Sequence, residues 1–431
     1  MKVQENLDKI SWSMADKFLY ILYGLVLLFQ MKALDPRDLG LYALLINLHT
    51  WIFIVSDAYL TNLIQFGMNR ENRRLVNTYS FITEFILSFG VAVLFYVCQK
   101  PITALFSEPR IKDVANYLPW LCLIFIPRTF CLKLIYRDHE MKKLFFVDLA
   151  FFGTMAVITA YFMLKMQHLT FNYMVFIYFS GSILSTFTSV VLTLRKLEFG
   201  FKGSIKFRRL LSFGFPLMLN SSLNSLPRQL DLYIVQFFFS TSVVGIYYSA
   251  KTLFRFFEET ANAAIGLIYP AAVRQLENKN YKGLNDLMTK ASSFIFVAFL
   301  VIIAVLELGL SRLLIEWFLP FKYHLAVDHF NVLLLAAFGL PFVILSTIIN
   351  AEEKPYTVLL YVVISVILSL VTYYIVGLTG NQYLIPLGNI VYLISFGTMC
   401  FIYVNRHFDF RFRQIFRAVG DSYNYLKGWG K

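Results

Sequence analysis

Twelve apolar stretches, each long enough to cross a bilayer, leave this chain little choice of architecture. They fall near 10–33, 39–66, 76–99, 114–136, 144–166, 170–194, 210–239, 243–273, 288–318, 328–350, 356–377 and 382–404. A spanning helix needs about 20 apolar residues, and several of these stretches are longer, which implies tilt or protrusion past the lipid. Only 15% of the residues are charged, against about 25% in globular domains. A soluble protein of 431 residues would need several cores, and no such pattern is present. The expected fold is an all-α polytopic membrane protein, with about twelve transmembrane helices in two six-helix lobes around a central cavity.

The net charge of +13 invites a nucleic-acid reading, but most of the 39 Lys and Arg residues sit in alternate short loops between spans. That is the positive-inside pattern. It places both termini in the cytoplasm and removes the need for nucleic acid as a partner. The opposite loops are all short, whereas membrane polymerases, ligases and glycosyltransferases need a sizeable external segment for a catalytic site. The first apolar stretch is too long for a signal-peptide core and more spans follow, so no cleaved leader is expected. Cys98, Cys122, Cys131 and Cys400 lie in apolar segments without metal-ligand spacing and read as small buried hydrophobes.

The chain repeats itself at half length. Gly40-Leu41-Tyr42 follows the first span and Gly245-Ile246-Tyr247 follows the seventh, at one shared offset of 205 residues. Six spans per half give both halves the same topology, related by an axis along the membrane normal. The domains expected are residues 1–205, residues 206–404 and a basic-aromatic cytoplasmic tail, 405–431, suited to an anionic lipid surface. The basic connection 195–209 reads as a hinge between the halves. Pro119, Pro127, Pro216, Pro227 and Pro341 fall inside spans, where a freed carbonyl favours a kink.

Polar residues inside the spans are the candidate functional groups. Asn220, Asn224, Arg228 and Asp231 recur at three- and four-residue intervals, as do Lys251, Arg255, Glu258, Glu259 and Asn262. Each set occupies one helix face. A charge at the bilayer centre costs roughly 2.5–3.5 kcal/mol on the insertion scale, so these faces point to a polar cavity. The local cationic excess suits an anionic head group. Arg228 with Asp231, and Lys251 or Arg255 with Glu258 or Glu259, also satisfy simple structural pairing. In the first half, Lys17 and Asp57 lie at similar depth and are expected to form a salt bridge or a proton-coupled pair. Arg128 adds a mid-span cation. Glu84 and Glu307 have no local partner and are candidate coupling-ion or proton sites. The run Arg137-Asp138-His139-Glu140 reads as a solvated charge cluster. Metalloprotease, Walker A and nucleophile-elbow motifs are missing from the sequence, so neither an enzyme nor a cofactor or metal is expected.

The segments Ile10-Ser11-Trp12-Ser13 and Leu34-Asp35-Pro36-Arg37-Asp38-Leu39-Gly40-Leu41-Tyr42 resemble the start of polysaccharide-biosynthesis flippases, in the multidrug/oligosaccharidyl-lipid/polysaccharide exporter superfamily. Phe213-Gly214-Phe215-Pro216, Asp231, Val244-Gly245-Ile246-Tyr247, Ala250 and Pro270 continue the likeness. At Asn350-Ala351-Glu352-Glu353-Lys354 the family's usual glycine is missing. The resemblance implies a flippase that moves a lipid-diphosphate-linked oligosaccharide across the bacterial inner membrane by alternating access. Arg228, Lys251, Arg255, Arg128, Asn220 and Asn224 would then meet substrate. Asp231, Glu258, Glu259, Lys17, Asp57 and Glu84 would serve ion coupling or structural pairing. The expected partners are a polyprenyl-diphosphate-linked oligosaccharide, membrane lipids and other polysaccharide-assembly proteins. The alternatives are an ion-coupled exporter of small amphipathic compounds, a glycan polymerase or ligase, and a non-transporting membrane scaffold.

Overall fold

Proline and asparagine set the helix starts near the membrane surface. Pro36 opens one helix, Pro355 another, and the Asn69 side chain accepts the Glu71 N–H at the start of a third. Each caps a backbone end that has no intrahelical partner. In the computed structural model, which describes residues 3–166 and 168–408, every regular element is helical.

The chain forms two compact units, Met1–Gly245 and Ile246–Lys431. The first holds α1 (Val3–Ala33), α2 (Pro36–Gln65), α3 (Arg70–Val97), α4 (Gln99–Phe106), α5 (Ile111–Arg137), α6 (Met141–Lys165), α7 (Phe171–Thr193), α8 (Phe207–Phe238) and the first turn of α9 (Thr241–Glu277). The second holds the rest of α9 with α10 (Tyr281–Val305), α11 (Ser311–Phe318), α12 (Leu325–Leu334), α13 (Leu340–Val343), α14 (Ser346–Ala351), α15 (Pro355–Thr379) and α16 (Leu387–Phe408). Among the described residues, ten segments are long and apolar enough to cross a membrane. The other two expected spans are α8 and α9, of 32 and 37 residues, whose polar faces lower their hydropathy. The tail 405–431 lies, beyond α16, outside the described residues.

In the first unit α2 is the buried axis, packed on α3, α5, α7 and α8, while α1 packs on α6. A core of Leu60, Leu63, Val76, Phe130, Leu134 and Leu210 joins four of these helices. The helix α8, which the repeat would assign to the second half, is bonded to α2 along its length. The Asn62 amide donates to the Leu210 carbonyl at 3.3 Å, and the Tyr233 hydroxyl to that of Leu44 at 2.9 Å. Gly214 lies flush on the Tyr59 ring, where a Cβ would come within 2.4 Å. Packing therefore divides the chain later than the repeat-based boundary at 205/206.

The connection 195–209 is strapped rather than hinge-like. Asn72 accepts from the Ser204 N–H and hydroxyl, Thr78 exchanges hydrogen bonds with the Gly200 backbone, and the Asn77 amide reaches the Glu198 carbonyl. The run 137–140 is likewise no solvated cluster. Arg137 is buried and donates to Asn77 and Asp138, and Lys196 bridges Asp138 and Glu140 at 2.6 and 2.5 Å.

In the second unit the buried axis is the segment of α12, a 335–339 3₁₀ turn, α13 and α14. Gly397 of α16 meets the Gly339 carbonyl, where a Cβ would come within 2.7 Å. The helix α10 ends in a π turn at Leu306–Leu310, and Gly309 (φ +108°) allows the break before α11. Glu307 is exposed on this turn. Cys122, Cys131 and Cys400 are buried and Cys98 half-buried, as small hydrophobes would be.

Candidate functional site

The first unit carries an open cavity of about 540 Å³ lined by α2, α5, α7 and α8. Helical periodicity builds its principal wall: His49, Phe53 and Asp57 recur every four residues on α2, with Thr50, Ile54 and Thr61 beside them. From α5 come Phe125 and Thr129, from α7 Tyr178, and from α8 Leu217 and Ser221.

Asp57 is the cavity's carboxyl group. Its partner is Lys133, one turn beyond Thr129 on α5, at 2.8 Å. The expected Lys17–Asp57 pair does not form, because α1 packs against α6 whereas Asp57 faces α5; Lys17 is exposed. The Lys133 side chain is mostly buried while that of Asp57, which lines the cavity, is 46% exposed. Glu84 of α3 lies near this pair, fully buried, and neither of its oxygens has a hydrogen-bond partner among the described residues.

Behind the aromatic wall sits a second cluster. Arg128 is buried, ion-paired with Asp148 of α6, bonded to the Ser185 hydroxyl of α7 at 2.7 Å, and placed over the rings of Phe125 and Phe151 at 4.7 and 5.0 Å. Asp16 of α1 abuts Asp148 and is also buried. The guanidinium expected to meet substrate is thus engaged within the lobe. His49 completes the wall, bonded to the Tyr178 hydroxyl at 3.2 Å and ringed by Phe53, Phe125 and Tyr178 at 4.8–5.5 Å.

On α8, Asn224 donates to the carbonyl and side chain of Asn220 at 2.8 and 2.9 Å. Arg228 is half-buried, and Asp231 is buried with one oxygen accepting the Leu232 N–H. Lys251, Arg255, Glu258 and Glu259 lie on the part of α9 within the second unit. Glu258 is buried, Lys251 and Arg255 are half-buried, and Glu259 and Asn262 are exposed.

Near the opposite end of α2, Arg37 grips Glu108 of the α4–α5 loop at 2.8 Å, Glu108 accepts the Thr241 hydroxyl at 2.8 Å, and Arg110 pairs with Asp38 at 2.6 Å. Burial alone would raise the Glu108 carboxyl. The hydrogen bonds from Arg37, Thr241 and the Arg110 N–H outweigh it and hold the group below its ordinary range.

The first unit is thus a helical lobe with an ion pair at its cavity. Residues 32–328 match the family model described as polysaccharide biosynthesis protein, and the chain belongs to that family. No curated protein matches it. Among solved structures it is similar to the lipid II flippase MurJ in an inward closed conformation (TM-score 0.74, 16% identity, 95% of this chain and 90% of that one). It is also similar to an inward-facing multidrug-resistance MATE transporter of the MOP superfamily (0.72, 13%, 89% and 94%). A third match is the Vibrio cholerae MATE transporter VcmN, as a D35N mutant (0.55, 14%, 93% and 98%). The fold is therefore MurJ-like and MATE-like, in a family member with ten helical segments long and apolar enough to span a membrane among its described residues.

Sequence reasoning missed Lys133, counted among loop cations, as well as His49, Asp16 and Asp148. The four-residue spacing of His49, Phe53 and Asp57, continued by Thr129 and Lys133 on α5, is the signal that finds the cavity.

Proposed function

We propose that this protein is a flippase carrying lipid-diphosphate-linked oligosaccharide from the cytoplasmic to the outer leaflet of a bacterial inner membrane, for surface polysaccharide. The observation that carries the reading is an amphipathic cavity containing an ion pair, in a lobe of a polysaccharide-biosynthesis family member. The MurJ-like fold supports a lipid-linked substrate. Buried charge in a bilayer is expensive, and a transport path is the usual reason to retain it. On this reading the substrate-contacting residues are Arg228, Asn220 and Asn224 in the first unit and Lys251 and Arg255 in the second. Asp231, Glu258, Glu259 and Glu84, with the Asp16–Asp148 carboxylates, serve ion coupling or neutralisation. Both termini are cytoplasmic.

The test is leaflet transfer of a fluorescent polyprenyl-diphosphate sugar in liposomes, comparing wild type with Arg228→Ala, Lys251→Ala and Arg255→Ala. Transfer by wild type and its loss in folded variants is the expected result. Transfer in all three at the wild-type rate removes the cations from the path. A second reading, export of small amphipathic compounds, draws on the aromatic cavity and the MATE-like fold. Uptake of tetraphenylphosphonium without sugar-lipid transfer would favour it.

A further inference from the structure

We propose that the first-lobe cavity is a subsite for one neutral pyranose ring of the transported glycan, with Asp57 as its hydroxyl acceptor and Phe125 as its stacking surface. The inference rests on the flippase reading and specifies which part of that substrate the cavity takes.

Charge decides first. The carboxylate of Asp57 is balanced by Lys133 at 2.8 Å, so the pair offers little attraction to an organic cation and no free positive charge to a diphosphate. What remains is a half-exposed carboxylate side chain lining the cavity, a strong acceptor for hydroxyl donors.

Hydroxyls decide next. Thr50, Thr61 and Ser221 line the cavity. Helical Ser and Thr in this chain commonly donate to the carbonyl four residues back, as Thr129, Ser182, Thr188 and Ser225 do. Among the described residues the hydroxyls of Thr50, Thr61 and Ser221 make no such bond, which leaves them to a ligand.

Shape completes the match. A pyranose presents a flat C–H face and a rim of hydroxyls. Beside the polar groups, the cavity is lined by aromatic rings that brace one another, with Phe53 and Phe125 at 4.9 Å. A wall held this way is preorganised and loses little entropy on binding. The volume of about 540 Å³ lies within the range of small-ligand sites, about 300–1,000 Å³.

The experiment is saturation-transfer NMR on the full-length protein in nanodiscs, with a panel of methyl pyranosides, inorganic pyrophosphate and tetraphenylphosphonium as probes. At least one pyranoside should bind through its ring C–H protons, without competition from pyrophosphate. Phe125→Leu and Asp57→Asn should each weaken it about tenfold. Because Asp57→Asn strands Lys133, Thr61→Val and Ser221→Ala provide milder variants, each expected to weaken binding severalfold. The same variants are assayed for leaflet transfer. A wild type that transfers the sugar-lipid but binds no pyranoside, or variants that bind pyranoside as wild type does, overturns the subsite and leaves the flippase standing. A wild type that moves tetraphenylphosphonium and no sugar-lipid overturns the flippase reading itself.

Discussion

Gly40 and Gly245 mark a reciprocal crossing at which the two repeats meet backbone to backbone. A Cβ on Gly40 would lie 2.0 Å from the Thr241 carbonyl oxygen, and one on Gly245 would lie 1.9 Å from that of Pro36. Thr241 stands to Gly245 as Pro36 stands to Gly40, so each repeat offers the same glycine to the same carbonyl of the other. Only glycine permits this approach between the helix starts.

Gly40→Ala and Gly245→Ala should each destabilise the protein by about 1–3 kcal/mol, the usual cost of overpacking. The obstacle is backbone and cannot rotate away. Gly24 and Gly90 have nothing within 4 Å of a built Cβ, so alanine there should be neutral. Thermal unfolding in detergent compares the four; a neutral Gly40→Ala would mean that the crossing is loose.

Arg128→Ala should be among the costliest single changes in the first unit. It leaves Asp148, with Asp16 against it, buried without the neighbouring cation, and breaking a buried pair costs about 3–5 kcal/mol. Adding Asp148→Asn should recover part of the loss, because the stranded charge goes with it. Expression and melting temperature of the single and double variants are the readout, and additive losses would show that the two residues do not couple.

Acid should loosen the Arg37–Glu108–Thr241 latch. Burial opposes ionisation of Glu108, but its hydrogen bonds hold the folded-state carboxyl below the ordinary 4.5. The latch's contribution is therefore fully present above that value and is lost as pH falls through the folded-state one. Wild type should exceed Glu108→Gln in stability at neutral pH, and the two should converge as the pH falls through the lowered folded-state value. A difference that persists unchanged in acid would assign the latch to packing rather than charge.

Asn72→Ala should free the strap. The Ser204 N–H and hydroxyl both rely on the Asn72 oxygen, so its loss should speed trypsin cleavage at Lys202 and Lys206 severalfold in nanodiscs. Thr78→Val, which removes the bonds to Gly200, should act in the same direction. Cleavage at the wild-type rate in both would mean that the connection is held elsewhere.

Ten of the twelve expected spans were legible because they rest on a local signal, hydropathy over about 20 residues. The membership of α8 in the first unit was not, because it depends on Asn62, Gly214 and Tyr233 finding partners far away in the chain. Ion pairing failed for the same reason. Lys17 and Asp57 agree in depth, but depth does not say which helices touch, and the packing of α1 on α6 gave Asp57 to Lys133. Arg137 looked solvated because its neighbours are polar; its partner Asn77 lies 60 residues earlier in the chain.

The cavity's fourth wall, Leu217 and Ser221, comes from a helix that follows the strapped connection. A ribosome adding about 5–20 residues per second must therefore deliver some 30 further residues after α7 before the first lobe can close around its cavity. Until then α2 presents Asp57 and its hydroxyls to an unfinished bundle. The nascent chain should pass through a stage in which this lobe needs either its own next helix or a chaperone against that face.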